Sequence, residues 1–281
     1  MCRFMGYHGE RAIVLSSLLD HHENSLVRQS LRARKTRTGI NADGFGIGWY
    51  DRSIDGFPGL FRSILPAWNE HNLHSLASKI RSNCFMGHVR ASTVGNVGLD
   101  NCHPFVFGKL LCAHNGTIKE FNRIKRYAFD EIDDLNFGRI RGQTDSEHLF
   151  AIVATLLGER ERYQAEEMRD ALLEAMGKMH ALQRKHAATD IIRANILMTD
   201  GRELVAMRYS SDPSRPPISM YHSTVTFERE EPVFIGKEGG RGVVVASEYL
   251  TDDPDHWCEV PAGHALLSDE AHRVRIEPLS H

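Results

Sequence analysis

The chain reads as an α+β protein whose sheets are covered by helices. Three observations predict this. Short, continuous apolar runs of strand length stand towards both ends of the sequence. Two segments of helical periodicity lie between them. The 281 residues, 41% apolar and 25% charged, are enough to bury a real core. Strands, then helices, then strands, with no internal repeat and no low-complexity linker, predict one domain over 1–281.

The strand signals, in order, are Cys2 to Gly6, Phe45 to Tyr50, Cys84 to Arg90, Lys109 to His114, Asn195 to Thr199, Glu203 to Tyr209, Gly242 to Ser247 and His264 to Leu267. Several are bounded by Gly, Asn or Asp, as expected for strands covered on both faces. The first helix follows Thr144-Asp145-Ser146-Glu147, which has the spacing of a capping box. Leu149, Phe150, Val153, Leu156 and Leu157 keep its apolar stripe, and Gly158 supplies a stop. The second spans about Ala165 to Leu182, with Met168, Leu172, Met176 and Met179 on one face. Such a methionine stripe reads as core packing. The polar, Pro-rich stretch Ser210 to Pro217 reads as a loop suited to close over a site.

A formal net charge of −3 gives no electrostatic footprint for nucleic acid or an anionic membrane surface. No stretch approaches the roughly 18 apolar residues needed to span a bilayer. The first apolar run, Ala12 to Leu19, is short and lacks a small-residue cleavage site, so a cytoplasmic protein is expected. The sixteen histidines are scattered. The five cysteines (Cys2, Cys84, Cys102, Cys112 and Cys258) are odd in number and show no C-x-x-C spacing, which argues against a disulfide framework or a zinc knuckle. Cys84, Cys102 and Cys112 sit in apolar runs and read as small core residues.

Cys2 is different because of its position. Removal of Met1 would place a free α-amine, with a reference pKa of about 7.7–8.0, beside the best side-chain nucleophile available. One residue would then supply both nucleophile and base, whereas a retained Met1 would acylate that amine. Further candidates follow along the chain. Arg90, ending His88-Val89-Arg90-Ala91-Ser92-Thr93, offers a planar fork for a carboxylate, or else a surface ion pair. His103 stands beside Pro104 in a turn signal. Asn115-Gly116 reads either as a tight turn needing positive φ or as an oxyanion hole of an Asn amide and a Gly N–H. Asp145 can serve a helix N-terminus or hold a substrate ammonium group.

The order of these blocks is more specific than any one of them. Cys2-Arg3-Phe4, Asn41 to Tyr50, His88 to Thr93, Asn101-Cys102-His103-Pro104-Phe105, His114-Asn115-Gly116 and Gly142 to Glu147 together resemble the glutaminase domain of class II glutamine amidotransferases. The resemblance covers residues 2–160 and implies the Ntn-hydrolase fold, a four-layer αββα sandwich of two antiparallel sheets between helix layers. It implies Cys2 as nucleophile after loss of Met1, with its α-amine as general base. Asn115 and Gly116 would form the oxyanion hole. Arg90, with Thr93 nearby, would bind the α-carboxylate of a γ-glutamyl group, Asp145 its α-ammonium, and His103 would lie near the pocket without a catalytic step. No metal or organic cofactor is implied.

Within the family, Ser25 to Ser30, Pro66-Ala67-Trp68-Asn69 and Ile124-Lys125-Arg126 look like the free-standing γ-glutamyl amidohydrolases of the glutathione-degradation and ergothioneine-pathway types. Ser247 to Thr251 and Trp257 to Pro261 fit the same group less tightly. Val94 stands where large synthases of the family carry a His, which weakens a synthase-like coupling. The expected substrate is a small γ-glutamyl molecule. A protein partner enters only if the chain is a glutaminase subunit passing ammonia to a separate synthase. The intact site residues argue against an idle scaffold.

Overall fold

A computed structural model describes residues 2–34, 40–91, 96–212, 214–229 and 231–279. The strands are β1 (Arg3–Val14), β2 (Phe45–Tyr50), β3 (Pro58–Ser63), β4 (Arg81–Val89), β5 (Phe105–Phe107), β6 (Leu110–Ile118) and β7 (Ile192–Thr199). They continue as β8 (Leu204–Ser210), β9 (Tyr221–Glu228), β10 (Glu231–Gly236), β11 (Gly242–Ala246), β12 (Cys258–Glu259), β13 (His264–Ser268) and β14 (Val274–Pro278). One sheet has the order β10-β9-β11-β1-β4-β2-β3, with β12 beside β9, and the other β14-β13-β8-β7-β6-β5. The pairings are antiparallel.

The helices are α1 (Ser16–Leu19), α2 (Leu26–Leu31), α3 (His71–Ala77), α4 (Phe121–Ala128), α5 (Asp134–Phe137), α6 (Asp145–Leu157) and α7 (Ala165–His186). Three apolar cores separate four layers. Leu18, Leu26 and Leu73 of the first helices pack on Met5, Tyr7 and Val244 of the first sheet. Leu149, Val153, Met168, Leu172, Met176 and Met179 of α6 and α7 cover Cys112, Ile196, Met198, Val205 and Leu267 of the second. Between the sheets lie Phe4, Met86, Val243 and Val245 against Leu111, Ala113, Leu197, Ala206 and Leu266. Successive residues therefore go to different cores: Leu197 faces the other sheet while Ile196 and Met198 face helices. That is why these strands read as unbroken apolar runs. Gly6 sits where a Cβ would run into the Leu197 side chain, so the sheets approach too closely there for a larger residue.

Helix α6 begins at Asp145, directly after its Thr144 cap, and its capping is only half of the expected box. The Thr144 side chain accepts from the Glu147 N–H at 3.2 Å, but the Glu147 carboxylate turns to the N–H groups of Arg141 (2.9 Å) and Gly142 (2.7 Å). Helix α7 carries a complete box, Gln164 with Glu167, and runs four residues past Leu182 to His186. Among the described residues no helix is long and apolar enough to cross a membrane.

Candidate active site

Cys2 precedes β1 at the open end of the inter-sheet layer, opposite β6. Pairing of Arg3 with Val89 brings it beside the end of β4. There Sγ donates to the Ala91 carbonyl at 3.3 Å and accepts from the Ala91 N–H at 3.2 Å. The Cys2 carbonyl accepts from the Asn115 amide and, at 2.9 Å, from Arg3 Nη1. Arg3 is itself held by Glu248, through Nε at 2.8 Å and Nη2 at 2.7 Å, in an ion pair only 2% exposed on either side. Glu248 also accepts from the Arg34 N–H at 2.9 Å. The nucleophile candidate is thus fixed through its own carbonyl, leaving the half-buried thiol facing a cleft.

Burial pushes the Cys2 thiol above its ordinary value, opposed by the Ala91 hydrogen bond and by the positive charge of Arg90. A thiol raised in this way is protonated at neutral pH and needs a base to attack.

Asn115-Gly116 is not a turn. The two residues pair with Asn195 and Ala194 inside the β6–β7 ladder. A Cβ on Gly116 would strike the Arg193 carbonyl and lie 2.5 Å from His114 Nε2, so close backbone approach, not positive φ, requires glycine there. Both residues line the cleft, with Cys2, Ala91, Thr117, Arg193, Pro217 and Ile218. The cleft opens to solvent.

Arg90, His103 and Asp145 are not among these lining residues. They form a buried flank on the β5 side of Cys2. Arg90 Nη1 donates to the Asn96 carbonyl at 3.2 Å, which also accepts from Asn101 Nδ2 at 2.9 Å. Asn101 Oδ1 in turn accepts from the Gln143 N–H at 2.8 Å, tying Arg90 to the start of α6. Asp145 accepts from the Ser146 N–H at 2.9 Å and the Ile118 N–H at 2.8 Å, so it caps α6 and grips the end of β6 together. Thr93, the remaining expected site residue, lies outside the described residues, as does Met1.

His103 stacks on His88 with ring centroids 4.3 Å apart and meets Phe105 edge-on at 4.5 Å. His114 Nδ1 lies 2.8 Å from Ser146 Oγ. Burial, reinforced by neighbouring histidines and Arg90, lowers His88 to about 3 and His103 well below its ordinary value; burial also lowers His114. The three rings are neutral packing elements behind Asn115. Among the described residues no group of His, Cys, Asp or Glu has metal-holding geometry.

The β7 flank escaped the sequence reading. Arg193 and Ile218 line the cleft, and only Pro217 fell within the loop singled out. That loop is anchored. Asn195 Nδ2 donates to the carbonyls of Ile218 (2.9 Å) and Ser219 (3.2 Å), and Arg208 donates to those of Ile218 (3.1 Å) and Pro217 (3.2 Å). A charged residue near the start of an otherwise apolar strand, Ile191-Ile192-Arg193-Ala194, was the available signal.

The fold and this site define a class, the class II glutamine amidotransferases, and the chain belongs to it: the family profile described as "Glutamine amidotransferases class-II" matches residues 20–278. A Saccharomyces cerevisiae relative named "Probable glutamine amidotransferase DUG3" is 33% identical over 99% of this chain and 84% of its own length. The "Gamma-glutamyl-hercynylcysteine sulfoxide hydrolase" of Mycolicibacterium smegmatis is 28% identical over 99% of this chain and 100% of its own. The fold matches a class-II domain protein from Silicibacter pomeroyi, with a TM-score of 0.69 at 24% identity over 100% of both chains.

Proposed function

We propose that this chain hydrolyses a γ-glutamyl amide through a thioester on Cys2. The observation that carries the reading is the seat of the thiol, bracketed by the Ala91 backbone at a cleft that Asn115 and Gly116 also line. The names of the yeast and mycobacterial relatives support a γ-glutamyl substrate.

With Met1 removed, the Cys2 α-amine takes the thiol proton as sulfur attacks the γ-carbonyl carbon. A C–S bond forms and the carbonyl oxygen becomes an oxyanion, held by the Asn115 amide and the Gly116 N–H. Asn115 can be spared for this because Arg3 also holds the Cys2 carbonyl. Collapse breaks the C–N bond, and the α-ammonium passes its proton to the departing amine. Water then attacks the thioester, giving its proton to the amine and releasing glutamate and the thiol. Arg90, with Thr93, binds the α-carboxylate and Asp145 the α-ammonium. His103 shapes the wall behind them. Weaving of β1, β11, β13 and β14 into the two sheets supports one domain over 1–281.

Intact mass after treatment with a glutamine-like diazo-ketone tests this. The expected product lacks Met1, carries one adduct on Cys2, and is absent from Cys2→Ala. An unlabelled Cys2 in folded, processed protein overturns the assignment. The yeast relative's name also supports a second reading, a glutaminase subunit delivering ammonia to a partner synthase. Comparing kcat/KM for glutamine and γ-glutamyl dipeptides, with and without candidate partners, separates the two.

A further inference from the structure

The proposed reaction accounts for Cys2, its oxyanion donors and the β5 flank, but not for the other side of the cleft. Strand order places β6 between β5 and β7, so Asn115 divides the site into two halves. Arg90 and Asp145, which would clamp the glutamyl unit, belong to the β5 half. The half that remains for the leaving amine is bounded by Thr117, Arg193, Pro217 and Ile218.

Arg193 pairs with Thr117 across the ladder, two residues from the Asn115–Asn195 pair. Alternation puts its side chain on the same face as Asn115, which reaches Cys2, and Asn195, which reaches Ile218. Arg193 is half-buried, and its guanidinium makes no hydrogen bond or ion pair to another described residue. The nearby carboxylate of Asp212 feels its charge without pairing with it. Arg208 on the next strand, by contrast, is fully engaged with Glu259 and with the carbonyls of Pro217, Ile218 and Val260. A guanidinium at the rim of a cleft, facing an anchored Pro-Ile wall, suits a carboxylate on a short apolar stem.

We propose that Arg193, Pro217 and Ile218 form a leaving-group subsite for an amine that carries a carboxylate. The preferred substrates are then γ-glutamyl amino acids or peptides, not glutamine. This rests on the γ-glutamyl reading above. Pro217 and Ile218 take the side chain of the residue after the scissile amide, and Arg193 takes its free carboxylate.

The test uses the processed protein and three substrates: a γ-glutamyl dipeptide such as γ-glutamyl-alanine, the same compound with its C-terminal carboxylate converted to an amide, and glutamine. Wild type is expected to prefer the free acid over its amide by about 10- to 100-fold in kcat/KM, the range of one charge-assisted contact. Arg193→Gln should abolish that preference and Arg193→Lys should restore part of it. Wild type that cleaves the acid and amide equally overturns the subsite. So does an Arg193→Gln loss shared equally by all three substrates, which would place the glutamyl α-carboxylate on Arg193. Wild type that cleaves none of the three overturns the γ-glutamyl reading and the subsite with it.

Discussion

On the β5 side of Cys2 the polar groups are consumed by one another, whereas on the β7 side a cation stands without a described partner. Arg90, Asn96, Asn101 and Gln143 form a continuous hydrogen-bonded chain to the start of α6, backed by three neutral histidines. Arg193 projects over an apolar wall whose own backbone is tied down by Asn195 and Arg208. A site that must recognise one constant group gains from a rigid, pre-paired flank, because ordering costs are met during folding. A flank that meets variable leaving groups needs an accessible charge and a surface of fixed shape.

Four variants or conditions sharpen this contrast, in descending order of effect. Cys2→Ala removes the proposed nucleophile and should lower kcat on every γ-glutamyl substrate by about 10⁴-fold or more in steady-state assays. Glu248→Ala leaves Arg3 buried without its carboxylate. Chemical denaturation should show a loss of about 3–5 kcal/mol, together with impaired turnover of all substrates, because Cys2 loses its brace. Arg90→Gln should reduce kcat/KM by roughly 10- to 100-fold, alike for glutamine, dipeptide and dipeptide amide. Unequal losses would show that the two flanks are not separate recognition units.

The smallest effect concerns acid. An unfolded histidine takes up a proton near pH 6.5, about its reference value, but folded His88 holds off protonation until about 3. Between these values the unfolded state binds the extra proton, so stability falls as pH drops below about 6.5; above that the ring is neutral in both states and no stability is lost. Thermal melts from pH 7 to pH 4 should show a declining Tm, with the slope reduced in a folded His88→Gln variant.

Much of the fold was legible where both faces of an element are buried. The runs at Phe45–Tyr50, Asn195–Thr199 and Gly242–Ser247 are largely apolar because helices cover one face and a second sheet the other. Strands β3 and β14 were missed because they are half-buried or exposed and alternate weakly, and β10 because its Pro-Val-Phe-Ile run does not show the alternation of its burial. The short helices α1 to α3 draw their stability from packing on the first sheet, not from a long periodic stripe. Asn115-Gly116 shows the limit of local reading. The dipeptide favours a turn, yet the ladder with Asn195 and Ala194 and the space beside His114 decide otherwise.

By itself, the sequence determined that apolar strands are covered by helices and, through a family resemblance, the layered fold and the candidate residues, because apolar periodicity and reactive groups are local properties of the chain. Tertiary structure alone decided which carbonyl, carboxylate or cation meets which. Glu248 reaches Arg3 across 245 positions, Asn115 reaches Cys2 across 113, and Arg193 comes to the cleft only through its pairing with Thr117. Such meetings depend on strand order and register, and no local segment carries them.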